Sequence, residues 1–263
     1  ISHRLAEVFE LAQRVTVLRD GALVETLPIE QLSREQLIAM MVGKQGPAVE
    51  EAGAAVAPAP TGPPLLQVSG LTVPGRFEGA QLSLHPGEVV GIAGVAGSGR
   101  SELLRAIAGV EAPSAGQVTL AGELVASGSP QAAVQVGIGF VPADRHHEAL
   151  VLPMTVRENM TLGCLKRFAS ALGLVRRGPE QEASDELFTR LGVRAFGIEQ
   201  VVGTLSGGNQ QKVALASRLA TAPRVLLLEE PTQGVDVGAR AEIHRLMRDL
   251  ASQGVGILLV SSD

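Results

Sequence analysis

The spacing of apolar residues changes several times along the chain, and the changes mark out its parts. Leu5, Val8, Phe9 and Ala12 recur at helical spacing, Arg14–Arg19 is strand-like, and Asp20-Gly21 is a turn signal. Ser33 with Gln36 three residues on is a capping box, which predicts a short helix through Met41. There the periodicity stops. Residues 45–64 are rich in Ala, Pro and Gly, carry only Glu50 and Glu51 as charges, and read as a linker semi-extended by its prolines. The expected parts are therefore 1–44, the linker 45–64, and a domain over 65–263.

From Leu65 the pattern is strand-rich at first, and then strands and helices alternate. Glu88–Ala93 predicts a buried strand and Glu102–Ala108 a helix leaving a glycine-rich loop; Gly116–Leu120 and Ile138–Val141 predict further strands. Thr155 and Glu158 form a second capping box at the start of another helix. Pro179–Leu191, Gln210–Thr221 and Gly238–Gln253 read as helices, and Gly256–Val260 as a last strand. Val225–Leu228 is a continuous apolar run, as expected of a strand covered on both faces. Alternation of this kind predicts an α/β fold on a mainly parallel sheet.

Composition narrows the classes. Hydrophobic residues make up 45% and charged residues 19%, a balance that supports a folded core over 263 residues. The formal net charge of −5 argues against a nucleic-acid partner, which usually meets a basic face. The longest apolar runs, Val225–Leu228 and Ile257–Val260, are far short of the roughly 20 residues that span a bilayer. Cys164 has no second cysteine to pair with, and Leu162 and Leu165 beside it suggest a buried thiol. The chain opens at Ile1 without a Met, which reads as a cut end. It closes on Val260-Ser261-Ser262-Asp263 and opens on Ile1-Ser2-His3-Arg4, an echo expected of a tandem repeat cut at equivalent points.

Three motifs carry chemistry. Gly94-Val95-Ala96-Gly97-Ser98-Gly99-Arg100-Ser101 follows a predicted strand and precedes a helix. Glycines there let backbone N–H groups turn toward phosphate oxygens, and the helix start adds partial positive charge. Ser101 offers a hydroxyl to Mg²⁺, and Arg100 stands where such loops usually carry Lys. Glu229 and Glu230 end the run from Val225, where parallel sheets gather their ligands; the first suits Mg²⁺ and the second an attacking water. Leu205-Ser206-Gly207-Gly208-Asn209-Gln210-Gln211-Lys212 sets a hydroxyl, bare amides and a helix dipole before one anionic group.

In this order the three motifs resemble those of an ABC-type ATPase, with Ser206–Gln210 as its signature sequence. Asn209–Lys212, Asp144-Arg145 through Leu150–Leu152, Val156–Met160 and Gly234–Ala239 resemble the second cassette of bacterial monosaccharide importers, in which two cassettes share one polypeptide. The resemblance covers nearly the whole chain, Ile1–Lys44 being similar to the end of a first cassette and Leu65–Asp263 to most of a second. It implies a P-loop NTPase fold of ABC type, with an antiparallel β subdomain and a helical subdomain near Thr155–Gly203. It also implies ATP as substrate, Mg²⁺ as cofactor, and a site at the cytoplasmic face of the inner membrane. The implied partners are permease subunits, indirectly a periplasmic sugar-binding protein, and the first cassette.

The resemblance assigns residues as well. Gly94–Ser101 would cradle the phosphates, Ser101 and Glu229 would hold the metal, and Glu230 would act on the water. Ser206, Gly207, Gly208 and Gln210 would face the nucleotide of the other cassette, His3 would be the first cassette's switch histidine, and Asp236 would signal between cassettes. Four positions depart from the pattern: Arg100 for Lys, Glu229 for Asp, Ser262 for the switch His, and Ala143 near the expected Gln, with Asp144 as a partial stand-in. These imply an asymmetric motor whose second site turns over slowly.

Other readings stay open: a nucleoside or signalling sugar as cargo, a soluble ABC protein acting on ribosomes or DNA, or a purely nucleotide-binding module. His146-His147 lack further ligands for a metal, Arg176-Arg177 read as a solvated loop, and Phe77 suits either adenine stacking or the core.

Overall fold

The computed structural model describes residues 9–10, 12–19, 22–42, 62–95 and 97–261. The predicted helix at Leu5–Ala12 and the turn at Asp20-Gly21 lie largely outside them, as do residues 43–61, which include most of the linker. Near the start, β1 (Arg14–Arg19) and β2 (Ala22–Pro28) pair antiparallel, with Arg19 opposite Ala22. The capping box opens α1 (Arg34–Val42) as expected: the Gln36 N–H donates to Ser33 Oγ at 3.2 Å and the Ser33 N–H to Gln36 Oε1 at 2.8 Å. Val17, Leu32 and Leu37 close a small core of their own.

The strand-rich stretch becomes an antiparallel sheet of β3 (Leu66–Val73), β4 (Phe77–Leu84), β6 (Ala115–Leu120) and β7 (Glu123–Leu124), in the order β4-β3-β6-β7. A second, parallel sheet has the order β5-β10-β9-β8, from β5 (Val89–Ile92), β8 (Ile138–Val141), β9 (Val225–Glu229) and β10 (Gly256–Val260). The helices are α2 (Arg100–Ile107), α3 (Pro130–Val136), α4 (Val156–Thr161), α5 (Arg177–Arg190), α6 (Gly207–Leu219) and α7 (Val237–Ser252).

β9 explains why its sequence does not alternate. Val225 and Leu227 enter a core with Leu104, Ile107 and the antiparallel sheet's Leu66 and Leu120. Leu226 and Leu228 enter an opposite core with Leu215, Ile243 and Leu250. Both faces are dry, so the four positions from Val225 to Leu228 are all apolar. Leu227→Ala is expected to destabilise the fold by about 3 kcal/mol, read as a lower urea midpoint at unchanged slope.

The helical part, residues 156–205, hangs on a buried ionic cluster. Glu180, 3% exposed, accepts from Arg157 Nη1 at 2.9 Å and from Thr161 Oγ1 at 2.8 Å. Thr155 and Glu158 complete the second capping box, whose hydrogen bonds from Thr155 hold the Glu158 carboxyl below its usual range. Cys164 is buried, and burial pushes its thiol pKa up, which makes it inert.

Three helix starts differ from the pattern by two residues or more. α6 begins at Gly207 rather than Gln210, because first-turn N–H groups need no intrahelical acceptor and glycine is tolerated there. α2 begins at Arg100, directly after the loop's last glycine. Arg176-Arg177 is a helix start and not a loop, although both side chains are exposed: Arg176 caps α5 and Arg177 is its first residue. Phe77 packs partly buried against the core and the loop at Gly99.

Candidate functional site

All four parallel strands deliver their carboxyl ends to one edge of the sheet. Val260 of β10 is level with Ile92 on one side and Glu229 on the other. With strands about 4.8 Å apart, the loop after β5 and the acids after β9 open on the same crevice.

The loop 94–101 turns at Val95, whose carbonyl accepts from the Ser98 N–H at 3.1 Å. Gly99, at φ +86°, caps α2 in the left-handed region. Its hydrogen bonding is backbone only; no side chain closes the helix start, so the first-turn amides remain open to an anion. Val95 is 80% exposed, and Ala96 lies outside the described residues.

Arg100 folds back across this loop. Its Nη1 donates to the Gly94 carbonyl at 2.6 Å and the Ser261 carbonyl at 3.3 Å, and its Nη2 to Glu230 Oε1 at 3.2 Å. A planar fork makes these contacts at once, which a lysine ammonium cannot reproduce. Glu230 sits at φ +45°, a strained conformation for a glutamate and one that clusters at functional sites. The structure thus brings the loop cation and the second acid together.

Glu229 is buried, 4% exposed, and its Oε2 accepts from Arg105 Nη2 at 3.1 Å and from the Ala143 N–H at 3.4 Å. Arg105 in turn spans Glu148 with two hydrogen bonds, at 2.8 and 2.9 Å, and lies over the Phe140 ring. Bonding to Glu148 foremost, with the charge of Glu229, holds the guanidinium pKa above its ordinary range against the opposing effect of burial. Mg²⁺ bound with phosphate groups needs only one or two protein oxygens, and the Ser101 hydroxyl with the remaining Glu229 oxygen are of the right hard type. The donor set therefore fits, with Arg105 as a competing cation.

Ser206–Gln210 forms a separate helix start. Ser206 is exposed and its Oγ accepts from Asn209 Nδ2 at 2.9 Å, leaving the first-turn amides of α6 without a side-chain cap. Gly208 packs so closely on α7 that a Cβ there would lie 2.8 Å from the Ala239 Cβ. Gln210 is turned inward: buried, its Nε2 donates to the Val202 carbonyl at 3.3 Å and its Oε1 pairs with His146 Nε2 at 2.8 Å. Asp236 caps α7, accepting from the Ala239 N–H at 2.9 Å. His147 pairs with Asp144, whose carboxyl its hydrogen bond holds below the usual range. His3 and Ser262 lie outside the described residues.

The sequence assigns no role to Arg105, Glu148 or Arg145, although the last two lie in the Asp144–Leu152 stretch that carries part of the resemblance. Their partners lie on other elements, as in the contact of Arg105 with Glu148 and Glu229.

Comparison with known proteins is consistent with this geometry. Residues 77–233 match the family model described as ABC transporter. The chain is 47% identical over its whole length to the ribose import ATP-binding protein RbsA 2 of Rubrobacter xylanophilus, of which it covers 50%. It is 41% identical, again over its whole length, to the ribose import ATP-binding protein RbsA of Caldanaerobacter subterraneus subsp. tengcongensis, covering 52%. It therefore spans about half the length of the curated relatives it matches. In fold it is similar to the dimeric bacterial ABC transporter cassette MJ0796, with TM-score 0.65 and 23% identity over 75% of this chain and 88% of that one. A nucleotide-free ATP-binding cassette from an ABC transporter gives TM-score 0.63 and 24% identity, over 76% and 81%.

Proposed function

The chain belongs to the ABC transporter family, and on that footing we propose that it binds and hydrolyses ATP to drive import of a monosaccharide, ribose first among them, through membrane permease subunits. The observation that carries the proposal is the meeting of Arg100 and Glu230, 3.2 Å apart, at the mouth of an amide-lined helix start. Nucleotide phosphates enter there onto the N–H groups of residues 97–101. Arg100 exchanges its carbonyl partners for phosphate oxygen, and Glu230, freed from the guanidinium, orients or deprotonates the attacking water. Ser101 and Glu229 would hold Mg²⁺, which supplies charge neutralisation at the phosphates.

We read residues 1–44 as the end of a first cassette, 45–64 as a linker and 65–263 as most of a second. On this reading Ser206–Gly208 faces the nucleotide of the first cassette, with His3 beside it. The second site, built on Arg100 and Glu229, turns over slowly. Cargo follows from the relatives named for ribose import; a nucleoside or signalling sugar is the alternative. The working position is the cytoplasmic face of the inner membrane, with a periplasmic sugar-binding protein as indirect partner. Exposed apolar side chains in the helical part, Leu172 at 86% and Leu174 at 69%, favour a protein partner there.

Titrating the intact polypeptide with Mg-ATP in a calorimeter is expected to give saturable binding at micromolar to millimolar nucleotide. Absence of heat would overturn the nucleotide reading. Unchanged ribose uptake after deletion of the gene would overturn the cargo.

A further inference from the structure

We propose that Arg145 is a positioning residue for the serine-led start of α6, and that the turn of residues 145–149 is a strut holding that start on the same frame as the phosphate loop. The inference rests on the reading of Ser206–Gly208 as a nucleotide face.

The turn is a single π-helical one. Asp144 opens it, its Oδ1 accepting from the N–H groups of His146 and His147, each at 3.1 Å. From there three side chains reach three elements. Glu148 takes the fork of Arg105 from α2, and the same guanidinium holds Glu229 at the end of β9. His146 pairs with Gln210 in α6. Arg145 Nη1 donates to the Gln233 carbonyl at 3.0 Å, in the loop leading to α7.

The Arg145 guanidinium fills the gap between that loop and the first turn of α6. A Cβ placed on Gly207 would lie 2.9 Å from its Nη2 and 3.1 Å from the Gly234 carbonyl oxygen; one on Gly234 would lie 3.5 Å from the same Nη2. Glycine at 207 is thus required while Arg145 stays in place, apart from any need for bare amides. The Arg145 Nε–H is buried and finds no acceptor among the described residues, and burial lowers the guanidinium pKa despite the neighbouring Asp144 charge. An apolar side chain of similar length would avoid that desolvation. The guanidinium instead ties the Gln233 carbonyl by one hydrogen bond while its other nitrogen packs against Gly207. Through Glu148 and Arg105 the same turn reaches the acid of the other nucleotide position.

The test is ATP turnover by the intact protein with its permease, comparing Arg145→Met, Arg145→Lys, Glu148→Gln and Ser206→Ala. Arg145→Met is expected to lower kcat about tenfold, since small misplacements of positioned groups have effects of this order. KM for ATP should stay within about twofold, because uniform binding is untouched. Arg145→Lys should not rescue, as one ammonium cannot both reach the Gln233 carbonyl and fill the guanidinium's place beside Gly207. Glu148→Gln combined with Arg145→Met should fall no more than about twofold below Arg145→Met alone, because both cut one strut. Wild-type kcat in either Arg145 variant overturns the proposal, as do fully multiplying effects or a KM that rises in step with a lost melting transition. If Ser206→Ala also turns over normally, the nucleotide-face reading itself fails; if Ser206→Ala is impaired and Arg145→Met is not, only the strut fails.

Discussion

Gly99→Ala is expected to abolish nucleotide binding at the loop 94–101, raising Kd at least about a hundredfold, or roughly 3 kcal/mol. Two independent effects add. An alanine at φ +86° sits in the left-handed region, which costs about 1–2 kcal/mol for a residue with a Cβ. That Cβ would also lie 2.5 Å from the Arg76 carbonyl oxygen and 3.1 Å from the Phe77 Cβ. The first of these neighbours is backbone of the β3–β4 turn and cannot swing aside like a side chain. The loop would have to lift off the antiparallel sheet, and the open amides at the start of α2 would lose their aim at the phosphates. In calorimetry the heat belonging to this loop should vanish, while a melting transition, lowered by the strain at this buried position, survives on the cores above and below β9. Retained binding at wild-type affinity would mean that phosphate does not rest on this helix start.

What the chain shows before folding, and what it hides, follows from the range of the interactions. Ser33 and Gln36, or Thr155 and Glu158, are legible because a capping box is completed within one turn. Val225–Leu228 is legible because burial on both faces leaves no polar position. The motif residues were likewise visible, since phosphate binding demands glycines and a helix start in one short segment. The ionic framework around them was not. Arg105 appears in sequence as one more basic residue on a short helix, yet its partners Glu148 and Glu229 stand 43 and 124 positions away. Gln210 was read as facing the ligand from its place in the motif alone, and the fold turns it inward to His146 and Val202. A motif fixes the backbone at the helix start; which of its side chains look outward depends on what packs behind it.

Ser206→Ala in the intact protein is expected to lower ATP hydrolysis by about a hundredfold or more, the usual effect of removing one donor from a developing charge. Glu230→Gln should lower it by less than about threefold, although the role proposed for Glu230 is to act on the attacking water. The contrast follows from where each residue works. Ser206 is exposed at a helix start with uncapped amides, and the proposed pairing sets it against the nucleotide of the first cassette, the faster site. On the same proposal Glu230 belongs to the slower one. It sits in a strained conformation at φ +45° and contacts Arg100, whose other donors go to the Gly94 and Ser261 carbonyls. Water attack at that site requires the carboxylate to leave the guanidinium, and the acid beside it, Glu229, is already shared with Arg105. A residue whose site contributes little to turnover has little to lose. Steady-state phosphate release by the two variants at saturating ATP decides the matter: equal losses would place comparable chemistry at both sites and overturn the asymmetry.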